Sequence, residues 1–332
     1  MARKGRRKKK HISTKLIVLL ILLAVLFIVL CLITPTEQEM MGKSVGQIPG
    51  LELPRPVDGE QIVNHTGYTL SYNERYEQPS YVAYELTREE VYGGGKRDDS
   101  FRADPDIRTG SATPDDYRNS GYDKGHLAPA ADFKWSEEAM ADTFFMSNMS
   151  PQAGQFNRGI WADLESVVRQ MAVENESIYV TTGPVLTDGP YRTIGENRVA
   201  VPNYYYKVIL DYTNPEIKAI GFVLPNEKGT HSIDYYAVTV DEVEEITGLD
   251  FFPALPDDVE ALLEGSIDKG QWSFRKYGGT ADENRTFIDS PYRKDSKLAL
   301  LKVIFDTVFY EVKKEVFRTL GVSKQARRFG LI

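Results

Sequence analysis

The chain of 332 residues carries a formal net charge of −8 and one cysteine, Cys31. A hydrophobic content of 42% and an aromatic content of 11% supply a packed core and exclude wholesale disorder. A lone cysteine inside an apolar run excludes an internal disulfide, a zinc–thiolate cluster and a cysteine nucleophile in the rest of the chain.

Charge is unevenly placed. Residues 1–15 hold eight basic side chains and no acidic one, and removing that +8 from −8 leaves −16 for residues 16–332. Such a balance argues against a protein that coats nucleic acid, whose footprint is a basic surface. An enzyme needs positive charge only around its site. Leu16 to Ile33 is an unbroken run of eighteen apolar residues, about 27 Å long as a helix against a bilayer core of roughly 30 Å. The basic arm (1–15) precedes it, and Glu37 and Glu39 follow. The positive-inside bias therefore predicts a single-pass anchor in the cell membrane over 16–33, with the N-terminus cytoplasmic and the rest extracytoplasmic. The run is longer than a signal-peptide core, and no small-residue cleavage site follows it.

Residues 34–60, with Pro35, Pro49, Pro54 and Pro56, read as a linker. A globular domain is expected over 61–254. Strands are expected at 68–72, 81–86, 178–182, 199–212, 218–224 and 235–240 from their apolar and aromatic patterning. Thr239 and Glu242 have capping-box spacing and Gly248 suits a C-cap, so a short helix should lie between them. A longer helix is expected from Gln155 to Met171, where Ile160, Leu164, Val167, Val168 and Met171 form one apolar stripe. Asn157, Trp161, Glu165 and Arg169 follow at four-residue steps beside it. Residues 255–332 read as a C-terminal extension, helical around Tyr292–Phe317, without recognisable chemistry.

Chemistry concentrates between Ser120 and Arg169. His126, one of four histidines, has a reference pKa of about 6.5, suited to taking a proton from water. Gly125 beside it allows tight backbone geometry. A hard cation such as Mg²⁺ takes few protein oxygens, so the Asn157 carbonyl could hold one while Glu165 assists through water. On their own, His126 would read as a structural histidine, Asn157 as a helix cap and Glu165–Arg169 as a surface ion pair.

Three motifs in order change that balance: Asp123-Lys124-Gly125-His126, then Asn148-Met149-Ser150-Pro151-Gln152, then Asn157, Trp161 and Glu165. With TGPV at 182–185, the 199–210 strand, FVLPN at 222–226 and TGLDFFP at 247–253, they resemble the DNA/RNA non-specific endonucleases over roughly residues 64–254. The resemblance implies an α+β fold with a ββα-metal (His-Me finger) core and a mixed or antiparallel sheet, preceded here by the single transmembrane helix. It implies a metal-dependent endonuclease that cuts DNA, and RNA as well, with little sequence preference, leaving 5′-phosphate and 3′-hydroxyl ends. His126 would be the general base and Asn157 the direct ligand of Mg²⁺, with Mn²⁺ as the alternative. Glu165 would act through a metal-bound water, and another such water would protonate the leaving oxygen. Asp123 would orient the loop, Asn148 would support the site and Arg169 would stabilise the phosphate.

Two departures stand out. Lys124 replaces the usual arginine, which keeps the charge but loses bidentate phosphate recognition. The family's upstream arginine corresponds to Arg97 or Arg102, and Arg97 is preferred. Relatives are often dimers, so a homodimer is expected. The competing class is a membrane-tethered nucleic-acid receptor without turnover, which the −16 balance disfavours more strongly.

Overall fold

The computed structural model describes residues 48–278, apart from 98 and 214–215. Strands β1 (Gln61–Asn64), β2 (Thr69–Asn73) and β3 (Gln78–Thr87) form an antiparallel meander, followed by the one-turn helix α1 (Arg88–Val91). A separate antiparallel pair, β4 (Tyr122–His126) and β5 (Met149–Ala153), is linked through a short helix α2 (Glu137–Asp142). A π turn (Phe156–Trp161) then leads into helix α3 (Ala162–Asn175). Strand β6 (Ser177–Pro184), the two-residue strands β7 (Thr193–Ile194) and β8 (Val199–Ala200), and the longer β9 (Tyr204–Asp211) and β10 (Lys218–Pro225) follow. β11 (Ala237–Val238), helix α4 (Val240–Thr247) and helix α5 (Asp257–Glu264) complete the described elements. The main sheet runs β1-β2-β3-β6-β9-β10-β11, with every pair antiparallel.

Side chains alternate across β9, and both of its faces are buried. Tyr205 and Ile209 enter the core beneath α3, whose Leu164, Val167, Val168 and Met171 are fully enclosed. Tyr206, Val208 and Leu210 enter a second core with Val240 and Val243 of α4 and Leu263 of α5. A sheet covered on both sides explains why its strands read as nearly continuous apolar text.

Several expected elements differ in extent. The strand expected over 199–212 breaks at Pro202, which lacks the N–H a ladder needs, so β8 and β9 lie in different sheets. The strand expected over 235–240 shrinks to two residues because a 3₁₀ turn (Ile233–Tyr236) precedes it and the Thr239–Glu242 capping box starts α4. Gly248 closes α4 in the left-handed conformation, as expected. The stretch expected as a helix from Gln155 is helical from there, but the regular α-helix begins at Ala162. Before it, the π turn kinks at Gly159 (φ −113°, ψ −113°), which removes Asn157 from the straight face it was expected to share with Glu165. Leu51 is fully buried in the second core, so the described end of the expected linker packs on the body. The helix expected over 292–317 lies outside the described residues.

The transmembrane helix is corrected. Among the described residues no helix is long and apolar enough to cross a membrane, and 16–33 lies outside them. The longest described α-helix, α3, has fourteen residues, about 21 Å, short of a hydrocarbon core of roughly 30 Å. The fold is the α+β body, and the membrane anchoring, membrane partner and single-pass localisation expected from 16–33 are withdrawn with it.

Candidate active site

β4 delivers His126 at its end. Antiparallel pairing with β5 sets His126 opposite Met149 and Asp123 opposite Gln152. The pair is held tightly because Gly125 has no side chain: a Cβ there would sit 2.2 Å from Gln152 Cδ. Two buried residues anchor the backbone around His126. Trp161 Nε1 donates to the His126 carbonyl at 3.2 Å. Asn148 Oδ1 accepts from Ala128 N–H at 2.9 Å, and its Nδ2 donates to the Ala128 and Thr143 carbonyls at 2.9 and 2.8 Å. Asn148 therefore fixes the chain two residues past the histidine.

The His126 ring packs in a three-ring cluster with Phe101 and Phe144, whose centroids lie 5.6 and 5.0 Å from it and 5.1 Å from each other. Its Nε2 is enclosed and has no hydrogen-bond partner. Burial, reinforced by the nearby Arg97 charge, lowers its pKa to about 3, so the free imidazole is neutral near pH 7.

His126 opens onto a cleft of about 680 Å³ that Asn157, Glu165, Asp123, Lys124 and Arg97 also line. Asp123 Oδ2 accepts from Asn157 Nδ2 at 3.1 Å and also receives Arg158. A carboxylate only accepts, so this contact fixes the amide's sense and directs Asn157 Oδ1 away from Asp123. Four cationic side chains, Arg97, Arg118, Lys124 and Arg158, line the cleft against Asp123 and Glu165. The acidic balance of the whole chain is thus reversed locally.

Glu165 is held above the usual carboxylate range chiefly by burial, moderated by Lys207 and then Arg169. Lys207 is fully buried on the α3 side of β9; its Nζ donates to Thr182 Oγ1 at 3.1 Å and lies 4.7 Å from the Trp161 ring centroid. Arg169 pairs with buried Asp132 at 2.8 Å, and Tyr84 OH donates to the other Asp132 oxygen at 2.9 Å. That arginine clamps the 130–133 turn to α3. Arg97 pairs with Asp99 at 2.5 Å and faces the Phe144 ring. Arg102 instead bonds the Ala141 carbonyl and covers Phe145.

Sequence reasoning missed Lys207, Arg158, Arg118 and Asp132. A signal existed for Lys207: within YYYKVIL, alternation places it on the same face as Tyr205 and Ile209. Asp132 offered none, because its partners Arg169 and Tyr84 are distant in sequence.

Among the described residues, two groups of acidic or imidazole side chains have spacing suited to a divalent cation: His65 with Asp104 and Asp106, and Asp241 with Glu244 and Glu264. In the first, His65 Nε2 and Ser147 Oγ already occupy Asp104 Oδ2 at 2.9 and 2.5 Å. The Asn157–Glu165 pair adds hard oxygen donors inside the cleft, a chemistry that suits a divalent cation such as Mg²⁺.

Two antiparallel strands and a following helix around an enclosed histidine, with oxygen donors in a basic cleft, define a metal-dependent endonuclease. Residues 51–258 match the model of the DNA/RNA non-specific endonucleases, and the chain belongs to that family. It is 36% identical over 235 residues to a mitochondrial nuclease EXOG of Danio rerio, covering 66% of this chain and 68% of the relative. It is 35% identical over 223 residues to the mitochondrial endonuclease G of Homo sapiens, covering 62% and 75% respectively. A solved EndoG/EndoGI complex contains a similar chain at TM-score 0.58 and 34% identity, covering 67% of this chain and 94% of that one. That assembly joins two different proteins, not the two like copies expected from the sequence. Membership in an enzyme family also removes the receptor without turnover.

Proposed function

We propose that the enzyme hydrolyses phosphodiester bonds of DNA and RNA with little sequence preference, giving 5′-phosphate and 3′-hydroxyl ends. One observation carries this reading: His126, whose enclosed Nε2 has no partner, lines the same basic cleft as Asn157, whose amide nitrogen is held by Asp123. Asn157 would hold Mg²⁺ directly, with Mn²⁺ as the alternative, and Glu165 would assist through water. When bound, the cation offsets negative charge growing on the phosphoryl oxygens.

His126 Nε2 removes a proton from the attacking water. It is ready to accept because burial keeps it neutral, and the negative phosphate arriving beside it raises its basicity toward the working pH. Arg97, Lys124 and Arg158 draw the backbone in through phosphate contacts that carry no base information, hence the weak sequence preference. Asn148 and Trp161 hold the histidine's backbone in place, and Arg169 works through Asp132.

The test is cleavage of plasmid DNA and of RNA by the full chain with Mg²⁺, with EDTA and as His126→Ala, with the product ends mapped. EDTA should abolish cutting, and His126→Ala should lower the rate by about 10²–10⁴-fold. A variant that cuts at the wild-type rate would overturn the assignment.

A further inference from the structure

On the sheet face opposite α3, the end of α5 brings Glu264 against the first turns of α4. Carboxylate oxygens of Asp241, Glu244 and Glu264 lie within 4.8 Å of one another. Glu264 is only 6% exposed, yet its Oε1 is enclosed without a hydrogen-bond partner. Buried carboxylates are ordinarily paired or hydrogen-bonded. Here the neighbours make matters worse, since Glu244, Glu260, Asp241 and Asp250 all raise the cost of a charge on Glu264. The nearby Arg55 is committed to Asp250 at 2.5 Å. Glu264 also ends its helix, where the dipole is negative. Glu244 Oε1 is fixed by Phe251 N–H at 2.7 Å, which orients that carboxylate.

We propose that Asp241, Glu244 and Glu264 form a binding site for Ca²⁺, separate from the catalytic cleft. The three oxygens span no more than twice a Ca²⁺–oxygen bond of about 2.4 Å. Three carboxylates in one place favour Ca²⁺ over Mg²⁺, which keeps most of its waters and takes one or two. The exposed side of Asp241 leaves room for waters to complete the shell. A proton is the competing occupant, because burial and then Glu244 hold Glu264 up to about 9. Calcium entry therefore releases that proton to solvent as Glu264 becomes a carboxylate ligand.

Thermal unfolding of the EDTA-treated, exchanged full chain with and without CaCl₂ tests this. Wild type should gain about 3–5 °C at calcium tenfold above its dissociation constant, and Asn157→Ala should gain as much. Glu264→Gln and Asp241→Asn should show no gain. No gain in wild type up to about 10 mM calcium, loss of the gain in Asn157→Ala, or its persistence in both carboxylate variants would each overturn the site. Should Glu264→Gln fail to fold, the exposed Asp241→Asn decides: loss of the gain supports the site and persistence overturns it.

Discussion

Each face of the main sheet shields a glutamate, half-buried Glu165 at the cleft on one side and buried Glu264 on the other, and the surroundings treat them differently. On the α3 side, Glu165 sits with Lys207 and Arg169, and its pKa rises only to about 7. On the α4–α5 side, Glu264 meets four acidic neighbours, and its pKa rises to about 9. Burial is the largest cause at both, so neighbouring charge separates them. Cations keep Glu165 within reach of its ionised form near neutral pH. Glu264 has no such support and takes a proton instead, or the cation proposed above.

The strongest way to break this contrast is to remove the cation on the α3 side. Lys207→Met should strip Glu165 of its largest compensating charge, leaving Arg169. Loss of the charged hydrogen bond to Thr182 should destabilise the fold by about 1.5–3 kcal/mol, and the acid limb of cleavage should move to higher pH. Melting curves and a pH–rate profile would check both, and an unchanged profile would separate Lys207 from Glu165.

Glu264→Gln probes the other face. A folded-state pKa raised from 4.5 to about 9 means that the folded chain keeps a proton the unfolded chain has lost. The stabilisation is complete below about 4.5 and is lost as pH rises through about 9. Calcium-free wild type should therefore melt at progressively lower temperature from pH 5 to pH 9, and the variant should lose that component of the slope. Equal slopes would count against the raised pKa.

Glu244→Gln should have the smallest effect. It removes the largest neighbouring charge that raises the Glu264 pKa, so the alkaline loss of stability should be smaller and complete at lower pH, while the pH–rate profile stays that of wild type.

Much of the lining of the cleft was legible because its residues are close together in the chain. Asp123 to His126, Asn148 and the Asn157–Glu165 segment announce themselves by residue type and order, and Gly125 by the tight packing its neighbours require. The straight helix expected through Asn157 was not legible as a π turn, because the apolar stripe from Leu164 onward is indifferent to a kink at Gly159 upstream. The Arg169–Asp132–Tyr84 clamp was hidden because its members lie 37 and 48 residues apart in sequence. The expected anchor rested on the apolar run 16–33 and the basic arm before it, which lie outside the described residues; among those, no helix is long and apolar enough to cross a membrane.

Sequence alone determined the family, the antiparallel strand material and the identities of the histidine, asparagine and glutamate proposed for the site. Residue type and spacing are enough to encode local geometry and intrinsic proton affinity. Tertiary structure decided the electrostatic state of each group. Only folding placed Lys207 beside Glu165, acids beside Glu264 and two phenylalanine rings against His126, and a pKa depends on what surrounds the group in space.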